Sequence, residues 1–327
     1  MYDVITVGSA TLDVFARTHF SELIKIINPK GETDLLAFPT GSKILIDELE
    51  FTTGGGGTNT AVALSRLGHK VAFVGKLGND ANSEFIRKNL KKEKIDLLCV
   101  YGKGMPGYAV ILDTLEHDRT ILVHKGISDE LSFREVSHKK LNTKWFYFSA
   151  MLGESFRTLE RLAEFAQQHN IKVAFNPSMY LAEKGSNYLQ HILNRTELLV
   201  LNKEEAILLV GQGSMESLLL KLRSLGPKIV VITDGKNDLY VINKNNIYSA
   251  KPPFIKVVDS TGAGDAFAAS FLSGILRKDD IEFAIKLGIV NSQSVISHYG
   301  AKNILLTYKA AMKVIKRLKV KIHKKKI

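Results

Sequence analysis

The sequence predicts an α/β fold, a mostly parallel sheet covered by helices on both faces. Short, compact apolar runs alternate along the chain with stretches of helical spacing, the pattern of strands buried on both sides and joined by crossover helices. Glycine-rich turns stand directly before two helical stretches, and two extended segments interrupt the alternation. Together these features describe one large α/β unit with a small separate flap.

Asp3–Val7 is the first apolar run, and Leu35–Phe51 the first extended interruption. Thr60–Leu67 carries helical spacing and stops at Gly68; Val71–Val74 reads as a strand and Ala81–Glu93 as a helix. Tyr108–His124 is the second interruption, where Val110, Leu112, Ile121 and Val123 suggest extended chain able to pair with the first. Trp145–Phe148, Lys172–Phe175, Leu198–Leu201 and Ile229–Thr233 then read as strands, with Phe156–His169, Glu204–Leu209 and Glu216–Leu225 as helices and Gly211 as a stop. No internal repeat or low-complexity linker divides the chain, so residues 1–327 read as a single domain.

At 327 residues and 45% hydrophobic, the chain can bury a sizeable core. Its one cysteine, Cys99, cannot form an internal disulfide, and no Cys/His cluster has metal-ligand spacing. The start lacks the basic residue and long apolar run of a signal peptide, and no stretch approaches the roughly 20 apolar residues of a membrane span. A soluble, cytoplasmic protein without a membrane partner is expected. The net charge of +12 is concentrated late: no acid follows Glu282, while eleven lysines and arginines do, leaving +1 for the first 282 residues. This predicts a solvated basic C-terminal helix and tail over 310–327, and nucleic acid is not expected as a partner. The lone histidines His69, His117 and His298 read as surface or packing residues.

Asp259-Ser260-Thr261-Gly262-Ala263-Gly264-Asp265 runs straight into the apolar stretch Ala266–Leu272. The first N–H groups of a helix have no internal partner and lie at the positive end of its dipole, so a Gly-Ala-Gly approach leaves them open to an anion such as phosphate. Asp265, in the first turn, should stay ionised beside those donors. A base beside a phosphate site points to phosphoryl transfer. The second cluster, Gly54-Gly55-Gly56-Gly57-Thr58-Asn59, lets a ligand approach the backbone, and Asn59 offers a donor and an acceptor to hydroxyl groups. It is neither a Walker loop nor a dinucleotide fingerprint, because no Gly-Lys-Ser/Thr follows and Thr60 replaces the third glycine.

These two clusters together resemble the signatures of the PfkB/ribokinase family of carbohydrate and nucleoside kinases. The N-terminal signature covers Gly55 to Gly78 and the C-terminal one Asp259 to about Leu272; Ser270 stands where the family has a smaller residue. Between them Asn202-Lys203-Glu204-Glu205 is similar to the family's Asn-x-x-Glu motif, and Thr233-Asp234-Gly235 to its nucleotide turn. The resemblance implies a ribokinase-like three-layer fold with a small β-sheet lid, formed by segments of about 14–52 and 106–126. It implies an ATP-dependent kinase of a small sugar or sugar acid, phosphorylating a hydroxymethyl group. Asp265 would be the general base, with Gly262, Ala263 and Gly264 forming the anion hole. Asp13, Gly55, Gly56 and Asn59 would bind the acceptor. Asn202, Thr233, Gly235 and Asn291 would bind the nucleotide, Glu205 would hold Mg²⁺ through water, and Asp259 and Thr261 mark a K⁺ site in relatives. Asn202 with Glu205 also has the spacing of a capping box, and Asp259 that of an aspartate satisfying turn amides. Ribokinases commonly carry lysine at the position of Gly56, so ribose specificity is not implied. A nucleoside acceptor is the alternative within the fold, and a non-catalytic sugar- or nucleic-acid-binding relative the alternative outside enzymes. Lids of this kind often pair between subunits, which would give a homodimer.

Overall fold

The computed structural model describes residues 1–18, 22–28, 31–113, 119–298 and 300–327. Parts of the expected lid, 19–21, 29–30 and 114–118 with His117 among them, lie outside the described residues. Ten strands of the described chain form one sheet. Seven run parallel, in the order Asp96–Leu97, Val71–Val74, Tyr2–Val7, Thr143–Phe148, Lys172–Phe175, Leu198–Asn202 and Ile229–Thr233. Leu239–Ile242, Asn246–Ala250 and Ile322–Lys326 extend it antiparallel.

The sheet is buried on both faces because its strands are apolar at successive positions. Val4, Trp145 and Tyr147 point into one core with helices Gly56–Arg66, Ala263–Lys278 and Ile281–Ile296. Their neighbours Ile5, Phe146 and Phe148 point into the other, with helices Gly153–Gln168, Lys203–Val210 and Met215–Ser224. The C-terminal ends of the parallel strands therefore open on one edge, the usual place for a site in such a sheet.

The expected strands and helices are present, with three differences. Helix Gly56–Arg66 starts four residues before the expected Thr60, so the glycines are its first turn rather than a loop ahead of it. Leu35–Phe51 is not one extended run: Gly31–Ala37 pairs with Glu22–Asn28 as a separate hairpin, 38–47 is irregular around Pro39, and Glu48–Gly54 resumes as a strand. The flap is a four-stranded sheet in the order Arg119–His124, Gly107–Asp113, Thr11–Arg17 and Glu48–Gly54. The third difference is the C-terminus. After helix Tyr308–Ile315 the chain does not end in a frayed tail; Ile322–Lys326 pairs with Asn246–Ala250 as an edge strand. Backbone pairing needs no apolar side chain, and lysines on an edge discourage further strand addition. Among the described residues no helix is long and apolar enough to cross a membrane.

Candidate active site

Strand Glu48–Gly54 runs into the glycine turn, and helix Gly56–Arg66 leaves it with no side-chain cap. Asn59, one turn into that helix, is buried, and its Nδ2 donates to Asp265 Oδ2 at 2.8 Å. The two glycine motifs, 206 residues apart in sequence, are thus joined by one hydrogen bond. Asn59 Oδ1 is buried and has no partner, so it can accept from a hydroxyl group. Gly56 closes this corner. A β-carbon there would lie 2.9 Å from Ser149 Cβ, so Ser149 would have to shift, and 3.5 Å from Asp265 Oδ1, an ordinary contact.

Asp13 arrives from strand Thr11–Arg17, opposite Thr52 and Ala109 in the lid sheet. Thr11 Oγ1 donates to its Oδ1 at 2.6 Å, and a β-carbon on Gly54 would run into its carboxylate. Burial raises the Asp13 pKa, while the Thr11 hydrogen bond and the Lys302 charge oppose the rise. The Asp13 carboxylate and the unpartnered Asn59 oxygen are two buried groups able to accept hydrogen bonds from hydroxyls.

Helix Ala263–Lys278 begins after Gly262, whose φ of +76° places it in the left-handed region. No side chain caps this helix, and Ala263 N–H makes only a long bond, 3.3 Å, back to Ser260 O. The mouth thus keeps donors for an anion. Asp265 differs from expectation in the direction of its pKa shift, not in its charge at neutral pH. Burial lifts its pKa to about 6, with the Asn59 hydrogen bond and the Lys302 charge acting against the rise. A carboxylate poised there is ionised at neutral pH and still basic enough to take a hydroxyl proton.

On the neighbouring strands, Asn202 and Thr233 lie side by side in register. Asn202 and Glu205 form the full capping box: Glu205 N donates to Asn202 Oδ1 at 2.8 Å and Asn202 N to Glu205 Oε2 at 3.0 Å. Glu205 is also buried, and desolvation with the Asp265 charge raises its pKa against that backbone bond. Tyr147, fully buried, feels both charges, and its hydroxyl has no partner. Gly235 has φ +54° and open space around it. No group of three or more metal-binding side chains exists among the described residues, so a divalent ion here would have few protein ligands. That fits Mg²⁺, which keeps waters and takes phosphate oxygens.

Two expected residues are otherwise engaged. Asn291 is wholly buried, its Nδ2 donating to Ser270 Oγ at 2.7 Å and its Oδ1 accepting from Leu306 N at 2.8 Å, which leaves no amide face for a base. The serine that departs from the family pattern is therefore that asparagine's partner. Asp259 accepts from Thr261 N and Oγ1 at 2.8 and 2.7 Å and from Gly300 N at 3.0 Å, the turn-satisfying role. One residue went unseen in the sequence: Lys302, counted among the C-terminal charges, donates from Nζ to Thr53 Oγ1 at 3.0 Å and Thr58 Oγ1 at 2.7 Å.

The chain is 29% identical over 249 residues to an uncharacterized sugar kinase of Archaeoglobus fulgidus, covering 74% of this chain and 97% of that one. It is 28% identical over 277 residues to a cytidine kinase of Thermococcus kodakarensis, covering 82% and 94%. Its fold matches that of an Arabidopsis thaliana ribokinase complexed with ribose and ATP, with a TM-score of 0.78, 19% identity and coverage of 96% and 99%. The family model described as pfkB family carbohydrate kinase matches residues 23–307. That span is most of the sequence and holds both glycine motifs, and on it the chain belongs to the pfkB family of carbohydrate kinases, ATP-dependent phosphotransferases.

Proposed function

We propose that this kinase transfers the γ-phosphoryl group of ATP to a hydroxymethyl group of a small sugar or sugar acid, with Asp265 as general base. The observation that carries the reading is the Asn59–Asp265 hydrogen bond, which sets the acceptor floor against the base at the mouth of an uncapped helix. Asp13 and Asn59 hold acceptor hydroxyls; Asp265 accepts the proton of the attacking one. Gly262, Ala263 and Gly264 present N–H groups to the charge on the transferring group. Asn202, Thr233 and Gly235 would line the nucleotide side, and Glu205 would hold hydrated Mg²⁺, which would neutralise phosphate charge. Phosphoryl transfer needs positioning and charge stabilisation more than covalent chemistry, and these residues supply both. The lid sheet would close over the acceptor and exclude water. The cytidine-kinase relative favours a nucleoside as the second acceptor class.

The test is an ADP-release screen with Mg-ATP over sugars, sugar acids and nucleosides, with and without K⁺. Asp265→Asn serves as the blank. Equal release by wild type and variant with every acceptor would overturn the proposal, and release with nucleosides alone would replace its acceptor class.

A further inference from the structure

Lys302 has no role in the chemistry above, yet three parts of the site meet at it. The residues just before it are fixed to the anion-hole turn: Gly300 N donates to Asp259 Oδ2, and Ala301 packs so closely on Gly262 that a β-carbon there would lie 2.5 Å from Ala301 Cβ. Its backbone carbonyl accepts from Arg66 Nη1 at 2.9 Å, tying the same loop to the far end of helix Gly56–Arg66. Its ammonium reaches the near end, donating to Thr58, whose hydroxyl in turn donates to Gly54 O at 2.5 Å, and to Thr53 of the lid strand Glu48–Gly54. The ammonium also acts on Asp13 and Asp265 at once. Position 56 is glycine, so the glycine turn itself brings no cation to this space.

We propose that Lys302 is a positioning residue for phosphoryl transfer, an internal cation that clamps the lid strand and acceptor floor to the anion-hole loop and faces both carboxylates of the site. The charges around it are Asp13, Asp265 and Glu93, with Arg66 opposing. Around Asp265 they are Lys302 and Glu205, with Asn59 and Tyr147 as neutral neighbours. Burial pulls the ammonium down to about 7 while the carboxylates pull it back up, so the clamp and the base share one electrostatic balance. Its kinetic consequence rests on the reading of Asp265 as the base; its electrostatic consequence does not.

The experiment uses Lys302→Met, Lys302→Gln and Lys302→Arg in the full chain. Carbon-detected NMR of aspartate-labelled protein follows the Asp265 carboxyl, identified by its absence in Asp265→Asn. Removing the charge should raise the Asp265 midpoint by about one unit in either uncharged variant, and Arg should restore most of it. In ADP-release assays over D-ribose, cytidine and fructose 6-phosphate, the acidic limb of kcat/KM should move with that midpoint, about threefold lower activity at pH 6.5. Gln keeps a donor for the two threonines, so it serves where Met does not fold. An Asp265 midpoint unchanged in a folded uncharged variant overturns the proposal. If wild type releases ADP with no acceptor the kinase reading fails, and the titration still decides the role of Lys302.

Discussion

Asp265 shows how single contacts set a working pKa. Desolvation raises it to about 6, and the Asn59 hydrogen bond and Lys302 charge hold it from rising further. In the proposed mechanism the base form abstracts the proton, so kcat/KM should be full above that value and fall as pH drops through about 6. Asn59→Ala removes a donor to the charged form and should shift that limb to higher pH; a limb at the same pH in the variant would show the bond to be inert. Asp265→Asn should lower kcat by about 100- to 10,000-fold while leaving the melting temperature nearly unchanged, since the side chain contributes an unfavourable burial rather than packing. Asp265 and Asn59 were legible because glycine clusters announce close backbone approach and name their neighbours. Lys302 was not: a lysine 244 residues from its threonine partner looks, in sequence, like any other charge of a basic C-terminus. Asn291 erred the opposite way, since position in a family region cannot tell an amide facing a ligand from one spent on Ser270 and Leu306.

At the scale of elements, His69 ties the end of one motif's helix to the middle of the other's. It follows helix Gly56–Arg66, and its Nε2 lies 2.7 Å from Ser273 Oγ in helix Ala263–Lys278. Burial and the nearby Arg277 push its pKa down to about 4, against the pull of Asp3. The unfolded chain then binds a proton that the fold refuses between about 6.5 and about 4. Stability must fall as pH drops through that window, by up to about 3 kcal/mol. His69→Gln should flatten this part of the melting-temperature profile relative to wild type, and an equally steep profile would assign the acid loss elsewhere. The strands and helices of the sheet were readable from their periodicity because each is buried by its own side chains. Ile322–Lys326 was not, because its place is fixed by backbone pairing, by Val320 and Ile322 against the core, and by Lys325 with Glu216 at 2.8 Å. Deleting 319–327 should therefore cost about 2 kcal/mol and promote aggregation through the bared edge at Asn246–Ala250, measurable by denaturant unfolding and light scattering.

For the molecule as a whole, the lid sheet has two faces with different tasks. Cross-strand partners share a face, so Asp13, Thr52 and Ala109 lie on one side, the side of the proposed acceptor site. Val14, Phe51, Val110 and Leu122 lie on the other, with Ala16 and Leu49 beside them. There Leu49, Phe51 and Leu122 are 54%, 50% and 56% exposed, an apolar surface a monomer would leave in water. A second copy would offer the matching surface: a twofold axis through this face would set Leu49, Phe51 and Leu122 of one lid on the same residues of the other. Dimerisation would then also stiffen the sheet that carries Asp13, linking assembly to acceptor affinity. Sedimentation equilibrium at micromolar concentration should give twice the chain mass of 36.3 kDa. Leu122→Lys places two like charges across the axis and should return the single-chain mass with its fold intact. Acceptor KM should rise in that variant more than kcat falls, since Asp265 and the helix mouth lie outside the lid. A wild-type protein that sediments as a single chain at these concentrations would leave the exposed face without a copy of itself as its cover.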